Sequence, residues 1–380
     1  MSGPDHRDVV LALAYRSWAD GRHTGYSWSP EKIGLALADD PEITRLLVAD
    51  PVRSRLSGLR PQPGAGAWQY DDVPTRRLVR PRRWRRSEPT RIDEAVGTYR
   101  RVDRLLQRQS SSSDAVLVSC HPVLAAVADR SRWADVVYYG WDDWSTYGLF
   151  AESHELIRWS YARMAERDVN VIGVTRAIVD RVGARRGTVV PNGVSAADFH
   201  QLVPVPSWFA RLPGRIVFYA GGLENRIDVE AVTACARDLG PEWTVVLVGP
   251  MIEPECFEAL GREPNVVVEA AHPRPEALAM MAAADVCLIP HRVTSVTVSM
   301  SPLKLFEYLA AGTPVVAADL PPVRGVSPRV VLVGDGEAYA PAVRKAAVLP
   351  PVETGELEEF RRAHDWEQRY VDWRRVALGG

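Results

Sequence analysis

Residues 301–319 read Ser-Pro-Leu-Lys-Leu-Phe-Glu-Tyr-Leu-Ala-Ala-Gly-Thr-Pro-Val-Val-Ala-Ala-Asp. Pro302 suits the first turn of a helix, where its missing N–H is no loss. Leu303, Phe306, Leu309 and Ala310 recur at three- and four-residue spacing and predict one apolar helix face. Gly312 is placed to stop that helix, with Pro314 just beyond. Val315–Ala318 then reads as a short buried strand. Lys304 and Glu307 are three apart, so they share a face near the helix start. A positive helix end carrying a lysine suits a phosphate. A nearby carboxylate suits paired sugar hydroxyls. Together they describe a pocket for a nucleoside diphosphate. The chain has 46 basic residues, of which only Lys32, Lys304 and Lys345 are lysines. A lysine at this point of an arginine-rich chain argues for a compact ammonium.

The same rhythm extends in both directions. Upstream, Arg215–Ala220, Thr244–Gly249, Val266–Glu269 and Val286–Ile289 read as strands, with a helix at Arg274–Ala284. Val9–Tyr15, Ala115–Ser119, Val136–Tyr139 and Val169–Thr175 are four more apolar runs. Helical stretches lie around Ile92–Gln107 and Glu152–Arg167. Alternating strands and helices predict parallel, doubly wound sheets. Residues 57–91 break the rhythm with clustered Pro, Gly and Arg and read as an irregular excursion. Ser110–Ser113 reads as a polar, flexible connection or a loose helix end. Thr188–Val194 is a strand running into an Asn-Gly turn. Residues 200–214 carry Pro204, Pro206 and Pro213 and read as an interdomain linker. The last helix spans about Gly355–Leu378.

At 380 residues the chain has room for two domains. A hydrophobic content of 46% with 25% charged residues is that of an ordinary water-exposed globular protein. A net charge of −2 argues against a general nucleic-acid binder. Cys120, Cys235, Cys256 and Cys287 lack metal-ligand spacing and read as reduced thiols. No stretch has the layout of a secretion signal or the length to span a bilayer. The expected location is cytoplasmic, with a peripheral position at the inner membrane face left open.

The 301–319 stretch closely resembles the donor-binding motif of GT-B glycosyltransferases, the enzymes that move a sugar from a nucleotide sugar. The resemblance covers most of residues 115–375 and is strongest over 215–319. It implies two Rossmann-like α/β domains facing across a cleft, with the donor on the second and the acceptor on the first. The expected divisions are residues 1–205, 206–355 and a helix at 356–380 returning to the first domain. The resemblance also implies that Glu307 holds the ribose hydroxyls and that basic groups hold the diphosphate. Gly221-Gly222 sits where such enzymes place a donor-phosphate loop, and Arg226 matches their basic position. Asp228 stands where relatives often carry a lysine, which leaves Arg226 and Lys304 as the expected diphosphate pair. Many retaining relatives have a first glutamate eight positions before the one matching Glu307. Here that position is Ser299.

The remaining candidates keep two readings each. Ser299, Met300 and Ser301 offer hydroxyls and backbone N–H groups to the sugar or phosphate, or form a solvated loop. Leu305 is counted with the donor-binding helix. His272, in Ala271-His272-Pro273, either contacts the base or lies on a surface turn. Asp142 and Asp143, after the strand Val136–Tyr139, stand at the end where ligands bind open α/β sheets. Either is the base for an inverting transfer, or caps the following helix. Trp141, Trp144 and Tyr147 offer flat surfaces for a sugar. His121 is the rival base or a packed capping histidine. His23, in Gly-Arg-His-Thr-Gly, is a possible donor-phosphate loop residue.

Arg76, Arg77, Arg80, Arg82, Arg83, Arg85 and Arg86 surround Trp84. They form an anionic-membrane contact holding a lipid-linked acceptor, a contact for an anionic soluble acceptor, or a solvated loop. No metal site and no cofactor is expected beyond the nucleotide sugar itself as co-substrate. The acceptor is a sugar, a lipid-linked glycan or a small molecule, and no nucleic acid is expected. The reading is therefore a metal-independent glycosyltransferase. Its rivals are a nucleotide-sugar epimerase of related fold and a non-catalytic nucleotide-sugar-binding protein.

Overall fold

The computed structural model describes residues 7–23, 25–54, 76–79, 82–83, 89–110 and 114–379. The chain falls into two units, Met1–Pro191 with Tyr370–Gly380, and Asn192–Arg369.

Among the described residues of the first unit seven strands form one parallel sheet. They are β1 (Arg7–Ala12), β2 (Ile43–Ala49), β4 (Arg76–Val79), β6 (Val116–Ser119), β7 (Asp135–Gly140), β8 (Asn170–Gly173) and β9 (Gly187–Val189). Their order across the sheet is β4-β2-β1-β6-β7-β8-β9. The two-residue strands β3 (Arg53–Ser54) and β5 (Arg82–Arg83) pair with each other. The central strands are buried on both faces, as their unbroken apolar runs require. Helices α1 (Trp18–His23), α2 (Ser29–Asp39), α3 (Ile92–Ser110), α4 (Pro122–Val127), α5 (His154–Glu166) and α6 (Arg176–Val182) complete the unit. Strand β4 lies inside the stretch expected to be wholly irregular. It pairs with β2 from Leu46↔Arg76 to Ala49↔Val79, at the sheet edge. An edge needs hydrogen bonds on one side only, so a short run suffices.

The second unit holds β10 (Arg215–Ala220), β11 (Trp243–Val248), β12 (Val266–Glu269), β13 (Val286–Ile289), β14 (Val315–Ala318) and β15 (Val330–Val333). Their order is β12-β11-β10-β13-β14-β15, all parallel. Helices α7 (Val229–Leu239) and α10 (Tyr339–Ala346) share one apolar core with the sheet. Helices α8 (Arg274–Ala283) and α9 (Leu303–Ala310) share the other. This is the doubly wound arrangement, with its strand order reversing between β10 and β13. Residues 192–205, expected in the first domain, belong to the second unit. Phe199 and Phe209 are buried in its core, which makes the expected linker part of the fold.

The C-terminal stretch is two helices instead of one, α11 (Thr354–Ala363) and α12 (Trp366–Leu378). The break falls at His364-Asp365. The Asp365 carboxylate accepts the N–H groups of Glu367 (2.8 Å) and Ala196 (2.7 Å), so it starts a new helix. From Tyr370 on, the chain packs in the first unit. Trp373 is fully buried, edge-on to Tyr139, and Tyr370 and Arg374 both reach Asp40.

Candidate functional site

The turn after β10 and the segment after β13 meet at the point where the strand order of the second unit reverses. An antiparallel bridge joins Ile227 to His291. Asp228 N–H donates to the Pro290 carbonyl (2.8 Å) and Arg292 N–H to that of Arg226 (2.8 Å). Gly221 has φ +145°, a conformation that only glycine adopts at low cost.

Helix α9 brings Lys304 onto this turn. A Cβ added at Gly221 would lie 2.7 Å from Lys304 Nζ, so the bare glycine backbone makes room for the ammonium. Lys304 Nζ donates to the Tyr219 hydroxyl (2.6 Å) and stands 3.9 Å from the centre of that ring. The same hydroxyl donates to the Gly222 carbonyl (3.2 Å). Burial, then the nearby Arg226, push the Lys304 pKa well below the ordinary lysine value, with Glu307 opposing them. Arg226 is ion-paired with Glu224, and its guanidinium also meets Met300 Sδ at 3.5 Å. Tyr308, one residue past Glu307, is fully buried and its hydroxyl accepts the Ala220 N–H (2.8 Å). That bond fixes α9 against the end of β10. Among the described residues no side chain caps α9, whose first residue follows Pro302, and the Leu305 N–H donates to the Pro302 carbonyl (3.0 Å).

Glu307 is largely buried and ion-paired with Arg274, the first residue of α8. Arg274 also bonds Asp198 through Nε at 3.0 Å. Burial works against the Arg274 charge, but Glu307 and Asp198 together raise its pKa above the usual value. Neither Arg274, the partner of Glu307, nor Asp198 behind it was legible in the sequence. Asp198 and Arg274 lie 76 residues apart, and Arg274 reads there as an ordinary helix-start residue. His272 is half-buried, its Nδ1 2.8 Å from Glu276 Oε2 and its ring 5.6 Å from that of Trp208.

The neighbouring expectations divide. Ser299 is fully buried and its hydroxyl donates to the carbonyls of Ser295 (3.1 Å) and Val296 (2.9 Å). It stabilises its own loop and offers no exposed hydroxyl to a sugar. Leu305 is also fully buried, in the apolar core, so its side chain presents no surface to a ligand. A helix residue one position past Lys304 must turn inward if Lys304 turns out. Met300 and Ser301 stay partly exposed, and the Ser301 carbonyl accepts from Asn192 Nδ2 (2.8 Å).

In the first unit the sheet order reverses between β1 and β6. His121, just past β6, does not stand as a free base. Its Nδ1 accepts the Val123 N–H (3.2 Å) as the N-cap of α4, which places the ring proton on Nε2, 2.8 Å from the Tyr99 hydroxyl. Asp143 is fully buried, 2.6 Å from Arg181 Nε, and accepts the Ser145 N–H (3.2 Å) and hydroxyl (2.7 Å). This anchors the loop after β7 and removes Asp143 as an accessible base. Asp142 keeps partial exposure and accepts the Asp143 N–H (3.0 Å). His23 ends α1.

Around the same strand ends runs an aromatic cluster. Tyr15 stacks on Trp28 (5.9 Å), Trp28 meets Trp141 (5.1 Å) and Trp144 stacks on Phe150 (4.7 Å). Arg16 lies 4.3 Å above Trp28, and its guanidinium pairs with the buried Glu31 at 3.6 Å. Burial raises the Glu31 pKa, while the Trp28 N–H and Arg16 act against it. Of the aromatic residues singled out in the sequence as sugar surfaces, Trp141 and Trp144 lie in this cluster, Trp144 buried within it. Tyr15 and Trp28 come from distant segments with no motif to mark them. Tyr15 has φ +68°, a strained conformation for a tyrosine.

Arg76 and Arg77 lie on β4, and Arg82 and Arg83 on β5. Arg80, Trp84, Arg85 and Arg86 lie outside the described residues, as do Ser111–Ser113. Among the described residues no helix is long and apolar enough to cross a membrane. Among them, too, no three His, Cys, Asp or Glu side chains are grouped to hold a metal ion.

The model of the family glycosyl transferases group 1 matches residues 214–348. Over 236 residues, 58% of this chain, the sequence is 25% identical to TuaH of Bacillus subtilis (strain 168), a protein assigned as a teichuronic acid biosynthesis glycosyltransferase. The match spans 59% of that relative's length. A sucrose-phosphate synthase from Thermosynechococcus elongatus has a similar structure, with a TM-score of 0.67 at 15% identity. The likeness covers 97% of this chain and 98% of the other. Anabaena HepE, solved in complex with UDP and glucose, gives 0.64 at 15% identity, over 98% of this chain and 99% of the other. The chain has a two-domain α/β fold like that of the GT-B glycosyltransferases, and part of its second unit is similar to the glycosyl transferases group 1 family.

Proposed function

We propose that this protein is a glycosyltransferase that moves a sugar from a nucleoside-diphosphate sugar to an acceptor hydroxyl. One observation carries the reading: the Lys304 ammonium lies against the Gly221 turn, on the same helix as Glu307 and beside an uncapped helix start. That arrangement suits a diphosphate next to a ribose. Lys304, Arg226, the backbone of Gly221, Gly222, Met300 and Ser301, and the first turn of α9 hold the diphosphate. Glu307 holds the ribose hydroxyls, and His272 lies towards the base. The first unit supplies the acceptor site, with Trp141 and Trp28 as sugar-stacking surfaces. The TuaH likeness supports a glycan acceptor, and the HepE complex makes UDP-sugars the first donors to test.

In the reaction the acceptor oxygen bonds the anomeric carbon as that carbon's bond to the phosphate oxygen breaks. The diphosphate leaves with the electron pair, stabilised by Lys304 and Arg226. Asp142 is the carboxylate proposed to take the acceptor proton in an inverting transfer. The proposal includes turnover without a divalent cation and, through the Arg76–Arg86 segment, peripheral contact with an anionic membrane on the cytoplasmic side.

A thermal-shift screen of UDP, GDP, dTDP and ADP with their sugars tests the donor site, since a bound ligand raises the melting temperature. Stabilisation by one series, lost in Lys304→Ala, is the expected result. A variant that keeps the full shift overturns the phosphate assignment. Donor consumption only when an acceptor is present separates transfer from isomerisation of the donor. Turnover is expected to persist in EDTA, and loss restored by magnesium or manganese overturns metal independence. Binding to anionic vesicles no stronger than to neutral ones removes the membrane contact.

A further inference from the structure

Close to Lys304 stands an imidazole that no step above uses. His291 follows β13 and is 97% buried, and its Nε2 has no hydrogen-bond partner among the described residues. Its ring lies edge-on to Tyr219 at 6.4 Å, the residue whose hydroxyl accepts from Lys304. An unpaired polar atom in a closed interior is costly and rarely left without a purpose.

The surroundings of His291 are set by several elements. Tyr219 faces it from β10 and Lys304 from α9. From the turn after β10 come Arg226, paired with Glu224, and Asp228, paired with Arg292 at 3.8 Å. His291 also lines a cavity of about 750 Å³ that includes Glu230 and Asp238 of α7 with Arg237, Asp335 and Glu337 of the loop after β15, and Tyr339 of α10. Burial, then Lys304, then Arg226 hold the His291 pKa well below its ordinary value. Lys304 is shifted the same way. The unpaired imidazole thus stands close to the Lys304 ammonium and to Arg226, which is paired with Glu224.

We propose that donor binding is linked to proton uptake by the buried His291, beside Tyr219 and the Lys304 ammonium, so that the diphosphate enters with a proton. This rests on the donor reading above. An anion placed beside Lys304 and Arg226 offsets the positive field that disfavours a charge on His291. It favours the charged imidazole, and the same proton then favours the anion. The site would bind its donor more tightly as the pH falls towards neutrality.

The probes are UDP-glucose, GDP-mannose, dTDP-glucose and ADP-glucose, whose esterified phosphates do not titrate near neutral pH. Each is titrated into the full chain by calorimetry in two buffers of different ionisation enthalpy. A sugar nucleotide that binds should show a buffer-dependent heat corresponding to proton uptake. Its affinity should fall by about two- to tenfold from about pH 6.5 to about pH 7.5, a full proton giving tenfold per unit. His291→Asn should bind with a smaller proton uptake and a flatter pH profile. Binding with buffer-independent heat and a flat profile overturns the linkage and leaves the donor site standing. So does a folded His291→Asn protein with unchanged uptake. If that variant does not fold, the two wild-type measurements decide. Failure of all four probes to bind overturns the donor reading and the linkage with it.

Discussion

Glu307, proposed to hold the ribose, illustrates how a single carboxylate is ordered by its neighbours. On an exposed helix it would sample several rotamers, and a ribose would have to select one. Here Arg274 holds it, and Asp198 holds Arg274 from the other side. Binding a ribose therefore needs little further ordering of the side chain. Replacing Arg274 with Ala leaves a largely buried carboxylate without its cation. The expected outcome is nucleotide affinity about tenfold lower, the equivalent of about 1.4 kcal/mol. Titration calorimetry on the folded variant checks it, and unchanged affinity would remove Arg274 from the site.

Asp143 and His121 make the opposite point at the same scale. Both residue types are suited to base catalysis and both lie at strand ends where ligands bind. Yet Asp143 is tied to Arg181 and Ser145, and His121 to Val123 and Tyr99. Whether a polar side chain serves a substrate or its own backbone depends on which partners the fold brings within 3 Å. Local sequence offered only the two alternatives.

At the scale of elements, the donor turn depends on two strands ending together. Gly249, just past β11, packs directly on the Gly221 backbone. A methyl at residue 249 would run into the Gly221 carbonyl, and backbone cannot yield as a flexible side chain can. Gly249→Ala should cost about 1–3 kcal/mol in stability and move Gly221 off Lys304. Its melting temperature should fall and its nucleotide-induced shift should shrink. Gly261→Ala is the control, because nothing lies within 4 Å of a Cβ there. Equal behaviour of the two variants would refute the close-approach argument. The same elements show why Leu305 and Lys304 part company. Adjacent positions on α9 point about 100° apart, one to the core and one to the turn.

At the scale of the whole molecule, several buried bases set the response to acid. Burial, then Arg369, lower the His364 pKa to about 4. His291 is lowered further by burial and its cationic neighbours. Both bind protons more readily in the unfolded chain, so their contribution is fully present above about pH 6.5 and is lost as the pH falls towards about 4. Burial raises the pKa of Glu31 and Asp103, which acts in the opposite sense, but from the carboxylate range. The melting temperature should therefore decline steadily between about pH 6.5 and about pH 4. A flat curve across that window would mean that these histidines are not buried as described.

By itself the sequence determined the alternation of strand and helix, the doubly wound sheet of the second unit and the pairing of Lys304 with Glu307 on one helix. Those features rest on local periodicity and on residue types at fixed spacing, which need no partner from elsewhere in the chain. It also marked the Gly221-Gly222 turn and the tryptophans after β7. The tertiary structure alone decided where the C-terminal helix breaks, that Arg76–Val79 joins a sheet edge, and that residues 192–205 belong to the second unit. It alone brought Arg274 to Glu307, Tyr219 to Lys304 and His291, and Trp28 to Trp141. The physical reason is the same in each case. These outcomes depend on contacts between residues far apart in the chain, whose energies exist only once the backbone has brought the partners together.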